Sequence, residues 1–254
     1  MQKIRVSPIS FLNTLPLSYG IRHSNLINQI ELVVDTPAQC ANRLIEGSVD
    51  IGLVPVATIP SICNAQIISD FCIGVSGAVR TVVLVSEVPL NEIKEIILDY
   101  QSRTSVVLAR ILVSDFWNIN VKFSNAKPGF EYVQVKGTTA AVVIGDKVFG
   151  IEKKYKYVFD LAIQWREYTG LPFVFACWVT NCNLSQNFIN DFNEALRYGV
   201  EHIKEALDSI ENPVIPKHEA LKYLSQNIDF NFTDDKKEAM QLFLKKLELT
   251  KVPG

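Results

Sequence analysis

TPAQCANRLIEGSVDIGLV, residues 36–54, sets the grammar of the chain. Thr36 can cap a helix, and Pro37 stands at its first position, where a missing N–H costs nothing. Cys40, Ala41, Leu44 and Ile45 then recur at helical spacing, and Gly47 is a stop. VDIGLV, residues 49–54, is a short continuous apolar run of strand length. Residues 30–35 (IELVVD) read as a strand just upstream. Strand, helix, strand is a βαβ unit, whose two strands run parallel because the helix carries the chain back.

The same alternation extends outward. Residues 4–9 (IRVSPI) read as a buried strand. Pro55 and Pro60 bracket a short helical or irregular piece, and 67–73 and 79–85 are further apolar runs. In the middle, 95–99 reads as a strand and 102–117 as a helix with Val107, Leu108, Ile111 and Leu112 on one face. A strand at 120–123, a Pro128-Gly129 turn, a strand at 139–144 and a strand-like stretch at 170–179 follow. The last quarter is helical. Ser185 can cap a long helix with Phe188, Phe192, Leu196 and Ile203 inward, Pro213 and Pro216 break the chain, and helices follow near 217–226 and 234–249.

This order predicts an α/β protein with a mainly parallel sheet. Two lobes fit it well: 1–84 with 176–254, and 85–175 inserted between, joined by crossing strands near 80–85 and 173–178. A ligand would sit between the lobes, at carboxyl ends of strands and amino ends of helices. The other architecture is a single doubly wound domain.

Composition narrows the function. A net charge of −2 gives no basic field for nucleic acid or an anionic membrane, so the charge of an anionic ligand must be met locally. The cysteines (Cys40, Cys63, Cys72, Cys177, Cys182) show no pairing pattern and read as free thiols in a reducing compartment. The histidines, His23, His202 and His218, stand apart, so no metal site is expected. Residues 1–3 run straight into a strand and no apolar run is long enough to span a bilayer, so a cytoplasmic location without membrane partners is expected. No GxGxxG, Walker loop, HExxH or nucleophile elbow occurs.

Several segments can carry chemistry. SPISFLNT, residues 7–14, leaves the first strand for a helix-like stretch, and Ser10 and Asn13 there either cap the helix or offer polar groups to a ligand. DYQSRTS, residues 99–105, places Ser102, Arg103, Thr104 and Ser105 at a strand-to-helix junction. Oriented N–H groups, hydroxyls and a cation make a carboxylate cradle, unless Arg103 points to solvent. Gly74 and Gly77 flank Ser76 before Arg80, which is either a close approach to a ligand or a tight turn. Gly145-Asp146 either brings a carboxylate to the cleft or caps the next helix. The aromatic-rich stretch from Trp165 through Phe175 is either cleft wall or, as such runs more often are, core.

Taken in order, SPISFLNTLPL, PAQCANRLIEGSVDIGLVPVATIP, DFCIGVSGAVRTVVLVSEVP, LDYQSRTSVVLARILVSDFW, VVIGDKV and TGLPFVFACW resemble the family of menaquinone-pathway enzymes that contains chorismate dehydratase. The resemblance runs from about Ile4 to Val179 and continues loosely beyond. It implies a two-lobed, periplasmic-binding-protein-like (type II) fold used inside the cell as a hydro-lyase of the futalosine route. The implied reaction takes water from chorismate, a dicarboxylate, to give 3-(1-carboxyvinyloxy)benzoate, with no cofactor or metal.

The resemblance also implies a functional Asn13 and a carboxylate-binding helix start at Ser102–Ser105. Ser10, Ser76, Gly77, Arg80 and Asp146 complete the expected substrate contacts. Asn13 would position the substrate, and a substrate carboxylate would act as base. Two departures stand out: Thr138 and Thr139 precede Ala140 where the family has an acidic residue, and Val75 replaces a small polar residue or glycine. The sister enzyme, 1,4-dihydroxy-6-naphthoate synthase, depends on a histidine in the middle lobe, and no histidine lies between His23 and His202. A solute-binding protein or a ligand-sensing domain would share the fold without the chemistry. Nothing in the sequence fixes an oligomeric state.

Overall fold

In the computed structural model, which describes residues 3–127 and 135–250, the βαβ unit forms as its sequence dictates. Ile4–Ser7 (β1) leads through a short 3-10 turn, Leu12–Thr14, into Leu15–Arg22 (α1). Ile30–Leu32 (β2), Pro37–Ile45 (α2) and Ile51–Pro55 (β3) follow. The Thr36 hydroxyl accepts the Gln39 N–H while the Gln39 side chain accepts the Thr36 N–H, a reciprocal cap that satisfies two groups no helical bond can reach. Gly47 ends the helix in the left-handed region, at φ 71°.

Gln66–Val75 (β4) passes to Val82–Ser86 (β5) and Glu95–Leu98 (β6). Thr104–Ile111 (α3) continues as a wider π-helical turn, Leu112–Trp117, so the helix expected over 102–117 changes pitch before Asn118, at φ 50°, ends it. Lys122–Asn125 (β7), Thr139–Ile144 (β8), Val148–Ile151 (α4), Tyr157–Asp160 (β9), Leu161–Thr169 (α5) and Phe173–Thr180 (β10) complete the middle. Gln186–Glu201 (α6), Ile203–Asp208 (α7), Lys217–Gln226 (α8), Asp229–Asn231 (β11) and Asp234–Thr250 (α9) close the chain. The expected Pro128-Gly129 turn lies outside the described residues.

The strands form two sheets, in the orders β11-β4-β10-β3-β1-β2 and β7-β6-β8-β5-β9. Both are mixed, which corrects the expectation of a mainly parallel sheet. β1 runs parallel to β2 and β3, and β6 parallel to β7 and β8. β10 opposes β3 and β4, and β5 opposes β8 and β9. The strands next to the passages between the sheets are thus the antiparallel ones. β5 lies whole in the second sheet and β10 whole in the first, so the expected boundaries at 84/85 and 175/176 fall inside strands. The passages are 76–81 and 170–172.

Two packing features position the site. A Cβ on Gly20 of α1 would lie 1.9 Å from the Ala195 carbonyl oxygen of α6, and one on Gly199 1.9 Å from the Pro16 oxygen. The two helices touch backbone to backbone. The aromatic run 165–173 is core: Trp165 is fully buried, donates to the Pro172 carbonyl at 3.0 Å and packs edge-on against Phe173 and Phe243.

Candidate functional site

Where the two sheets meet, strand ends and the start of α3 enclose a cavity of about 60 Å³. Its polar lining is Asn13, Thr14, Thr81, Ser102, Thr104 and Ser105, and Phe11, Ile144 and Phe175 are among its apolar walls. Among the described residues, no ionisable side chain lines it.

The Asn13 segment is held by its own turn. The Thr14 hydroxyl donates to the Ile9 carbonyl and lies 2.8 Å from that of Phe11. Neither Ser10 nor Asn13 caps α1, so the capping alternative fails. Ser10 is exposed and outside the lining, and its N–H donates to the Asp35 carbonyl at 3.1 Å. Among the described residues, the buried side-chain polar atoms without a partner are Asn13 Oδ1 and Trp178 Nε1, and only Asn13 lines the cavity. Such an atom costs free energy unless something binds it.

The start of α3 is built from several bonds. Lys147 donates to Asp99 at 2.7 Å, and Asp99 accepts the Gln101 N–H at 2.8 Å, fixing the turn before the helix. Ser102 Oγ accepts the Ser105 N–H at 3.0 Å. The Thr104 hydroxyl donates to the Phe175 carbonyl and accepts the Ala57 N–H, each at 3.2 Å, and so ties α3 to the first sheet. Arg103 is exposed and donates to Asn42 of α2 at 2.7 Å.

Asp146 follows Gly145, whose φ is 72° and whose missing Cβ would lie 3.0 Å from the Phe11 ring. Both Asp146 oxygens accept the Leu12 N–H, at 3.1 and 3.2 Å. Burial pushes this carboxyl up from its ordinary pKa, and the Leu12 N–H opposes the shift. Arg80 is left-handed, at φ 61°, donates its N–H to Asp160 at 2.7 Å and lays its guanidinium 5.6 Å from the Phe149 ring centre, outside the lining. Ser76 donates to Asp229 at 3.0 Å, and with Gly77 it lines a separate surface groove beside residues 224–231. The structure thus brings together Asn13, Ser102, Thr104 and Ser105, with Asp146 bonded at their edge, and sets Ser10, Ser76, Gly77, Arg80 and Arg103 outside the lining.

Phe175, the last residue of the stretch read as cleft wall or core, lines the cavity, and so does Thr81, which sequence reading did not assign to the site. The Tyr223 ring, on α8, is fully buried and its hydroxyl lies 2.8 Å from Thr81 Oγ1. No local signal marks it: an aromatic at an inward helical position reads as core. The buried thiols offer no nucleophile at neutral pH, since burial pushes Cys40 and Cys72 up to about 12. Among the described residues, no three His, Cys, Asp or Glu side chains gather as metal ligands, and no helix is long and apolar enough to cross a membrane.

The pattern of a menaquinone biosynthesis family matches residues 4–249. The chain belongs to that family. It is therefore grouped with enzymes of menaquinone biosynthesis. Solved structures show the fold this family member adopts. A protein of Archaeoglobus fulgidus is 15% identical, with a TM-score of 0.76 over 98% of this chain and 97% of its own. A Candida albicans gene product described as having the generic periplasmic binding protein fold is 13% identical, with a TM-score of 0.66 over 100% and 92%. The periplasmic aliphatic sulphonate binding protein of Escherichia coli is 13% identical, with a TM-score of 0.61 over 98% and 91%. The fold is periplasmic-binding-protein-like, with the cavity between its two sheets.

Proposed function

We propose that this protein is a chorismate dehydratase, removing a ring proton and the ring hydroxyl of chorismate as water to leave the aromatic 3-(1-carboxyvinyloxy)benzoate. The observation that carries the reading is the partnerless Asn13 Oδ1 beside a cavity that the described residues line with hydroxyls and no ionisable group. Such a lining suits a reaction whose driving force is aromatisation. The protein's part is to hold one conformer and exclude water.

Among the described residues the lining holds no carboxylate, imidazole or amine, and in this reading the ring proton goes to a carboxylate of the substrate itself. An amide oxygen is no base, so Asn13 positions rather than abstracts. The substrate carboxylates meet the first N–H groups of α3 and the hydroxyls of Ser102 and Ser105. Asp146 is spent on Leu12 and serves as a tie between the sheets. A volume of about 60 Å³ holds a few waters and not this ring, so the sheets part to admit it. The bonds named across the cleft are hydrogen bonds, donated by the Leu12 N–H to Asp146, by the Thr104 hydroxyl to the Phe175 carbonyl, by the Ala57 N–H to Thr104 and by Arg103 to Asn42.

The test is direct. Purified protein is incubated with chorismate, and the aromatic product is followed by ultraviolet absorbance and mass. Steady conversion is expected. Tight binding of chorismate with no product would overturn the reading in favour of a binding protein.

A further inference from the structure

The chain crosses between the sheets at 76–81 and 170–172, and hydrogen bonds show which half holds each part of a crossing. On the first, the Ser76 hydroxyl donates to Asp229 and the Asn227 amide donates to the Ala78 carbonyl, both at 3.0 Å. Asp229 lies on β11 of the six-stranded sheet and is fixed in turn by Lys236, a fully buried amine that donates to its carboxylate at 2.7 Å and to its carbonyl at 3.1 Å. Residues 76 and 78 therefore go with the first sheet. Arg80 goes with the second. Its N–H donates to Asp160 at 2.7 Å, and Asp160 pairs with Val83 of β5. The next carbonyl, that of Thr81, accepts the Gly145 N–H at 2.8 Å. Arg80 is thus pinned on both sides in the left-handed region, at φ 61°, where an L side chain is strained. Val79 is left between the two sets of anchors. The Asp160 oxygens divide their work. Oδ2 takes Arg80, and Oδ1 accepts the Ala162 and Ile163 N–H groups at 3.0 and 3.2 Å to cap α5. That helix holds the second crossing: Trp165 donates to the Pro172 carbonyl at 3.0 Å, and the Leu171 N–H donates to the Thr169 hydroxyl at 3.2 Å.

We infer that Asp160 is a positioning residue for the site: by locking Arg80 left-handed into the second lobe it confines the turn of the first crossing to Val79, while its other oxygen caps the helix that holds the second crossing. The inference deepens the reading above and rests on it for the ligand and for the parting of the sheets. Asn13 lies on one side of the cleft, and Ser102 and Ser105 on the other. A hinge confined to one residue lets the sheets part along one path and return to one spacing. Without the Oδ2 bond Arg80 leaves the left-handed region, the lobes rest over a wider range, and part of the ligand's affinity goes into restoring the spacing.

The test uses the full chain. Asp160→Asn keeps the shape, and its amide oxygen can still cap α5, but its NH2 cannot accept the Arg80 N–H. The KM for chorismate should rise about tenfold with kcat within about threefold of wild type, the pattern of a depleted closed population and not of lost chemistry. Small-angle X-ray scattering of the ligand-free protein should give a larger radius of gyration than wild type, which a weakened helix cap alone would not produce. An unchanged KM or an unchanged radius would overturn the inference. Arg80→Gly supplies a rescue, because glycine enters the left-handed region without a steric penalty. Asp160→Asn with Arg80→Gly should recover several-fold in KM over Asp160→Asn, with Arg80→Gly alone as the control for the lost guanidinium, and no recovery would overturn it too. Should wild type leave chorismate unchanged, the dehydratase reading fails while scattering from the ligand-free proteins still decides the role of Asp160. If Asp160→Asn does not fold, Asp160→Ser replaces it, keeping a capping hydroxyl too short to hold Arg80 as well, and the same outcomes apply.

Discussion

Asp146 and Leu12 are bonded across the cleft, both oxygens of the carboxylate sharing one backbone N–H at 3.1 and 3.2 Å. Asp146 ends a strand of the second sheet, and Leu12 precedes Asn13 at the edge of the first. One side chain thereby sets the distance between the two halves of the site.

The buried Asp146 carboxyl has a pH signature, which the Leu12 bond only opposes. Burial raises the Asp146 carboxyl, so through the carboxylate range the folded chain binds more protons there than the unfolded chain. Its contribution to stability is complete below the unfolded pKa and is lost as pH rises through the folded one. The unfolding free energy of wild type minus that of Asp146→Asn should therefore fall as pH rises from acid and level off above the raised pKa. Urea midpoints across a pH series measure it. A difference that climbs with pH would contradict burial as the controlling effect.

Thr104 separates structure from ligand binding. Its hydroxyl is committed to Phe175 and Ala57. Thr104→Val should cost about 1–3 kcal/mol by leaving two backbone groups without a partner, with Thr104→Ser restoring most of it. Urea unfolding reads the loss. The KM for chorismate should barely move, whereas a large rise at unchanged stability would make Thr104 a ligand donor after all.

Asn13→Ala should fold normally and lose about a hundredfold in turnover, the scale on which a misplaced reactant slows an enzyme. Product absorbance reads this. Near-normal turnover would remove Asn13 from the mechanism.

Gly20→Ala and Gly199→Ala should each destabilise by about 1–3 kcal/mol or more, since the new methyl meets a backbone oxygen at 1.9 Å and the helices must separate. Thermal melts suffice. Full stability in either variant would show that α1 and α6 give way cheaply.

Local elements were legible because their signals are local. Thr36, Pro37 and Gly47 bracket α2 in the sequence as they do in the fold. Asp160 and Gly170 mark α5 equally well, with Asp160 accepting the Ala162 and Ile163 N–H groups and Gly170 left-handed, yet the aromatics between them were weighed as cleft wall or core and not as a helix. Strand direction was not legible, because an apolar run looks the same read either way along a sheet. Within the site, Asn13, Ser102 and Ser105 stood out as polar groups at strand-to-helix junctions, where backbone N–H groups are free. Ser76 and Gly77 stood out for the same flexibility and face another groove, since a glycine-flanked turn announces a loop and not what the loop faces. Arg80 and Arg103 illustrate the limit for long side chains: a stacked ring and an Asn42 amide, both distant in sequence, decide where they point.

The Gly20–Gly199 contact has a mechanical meaning. Backbone against backbone leaves no side chain to deform, so α1 and α6 behave as one block, and Asn13, just ahead of α1, rides on it. In a vice, only one jaw travels. If the sheets part as proposed, the five-stranded sheet, joined through 76–81 and 170–172, would be the other jaw and would carry Ser102, Ser105 and Asp146. A ligand would be seated first on the still side, against the amide, and the hydroxyls would arrive afterwards.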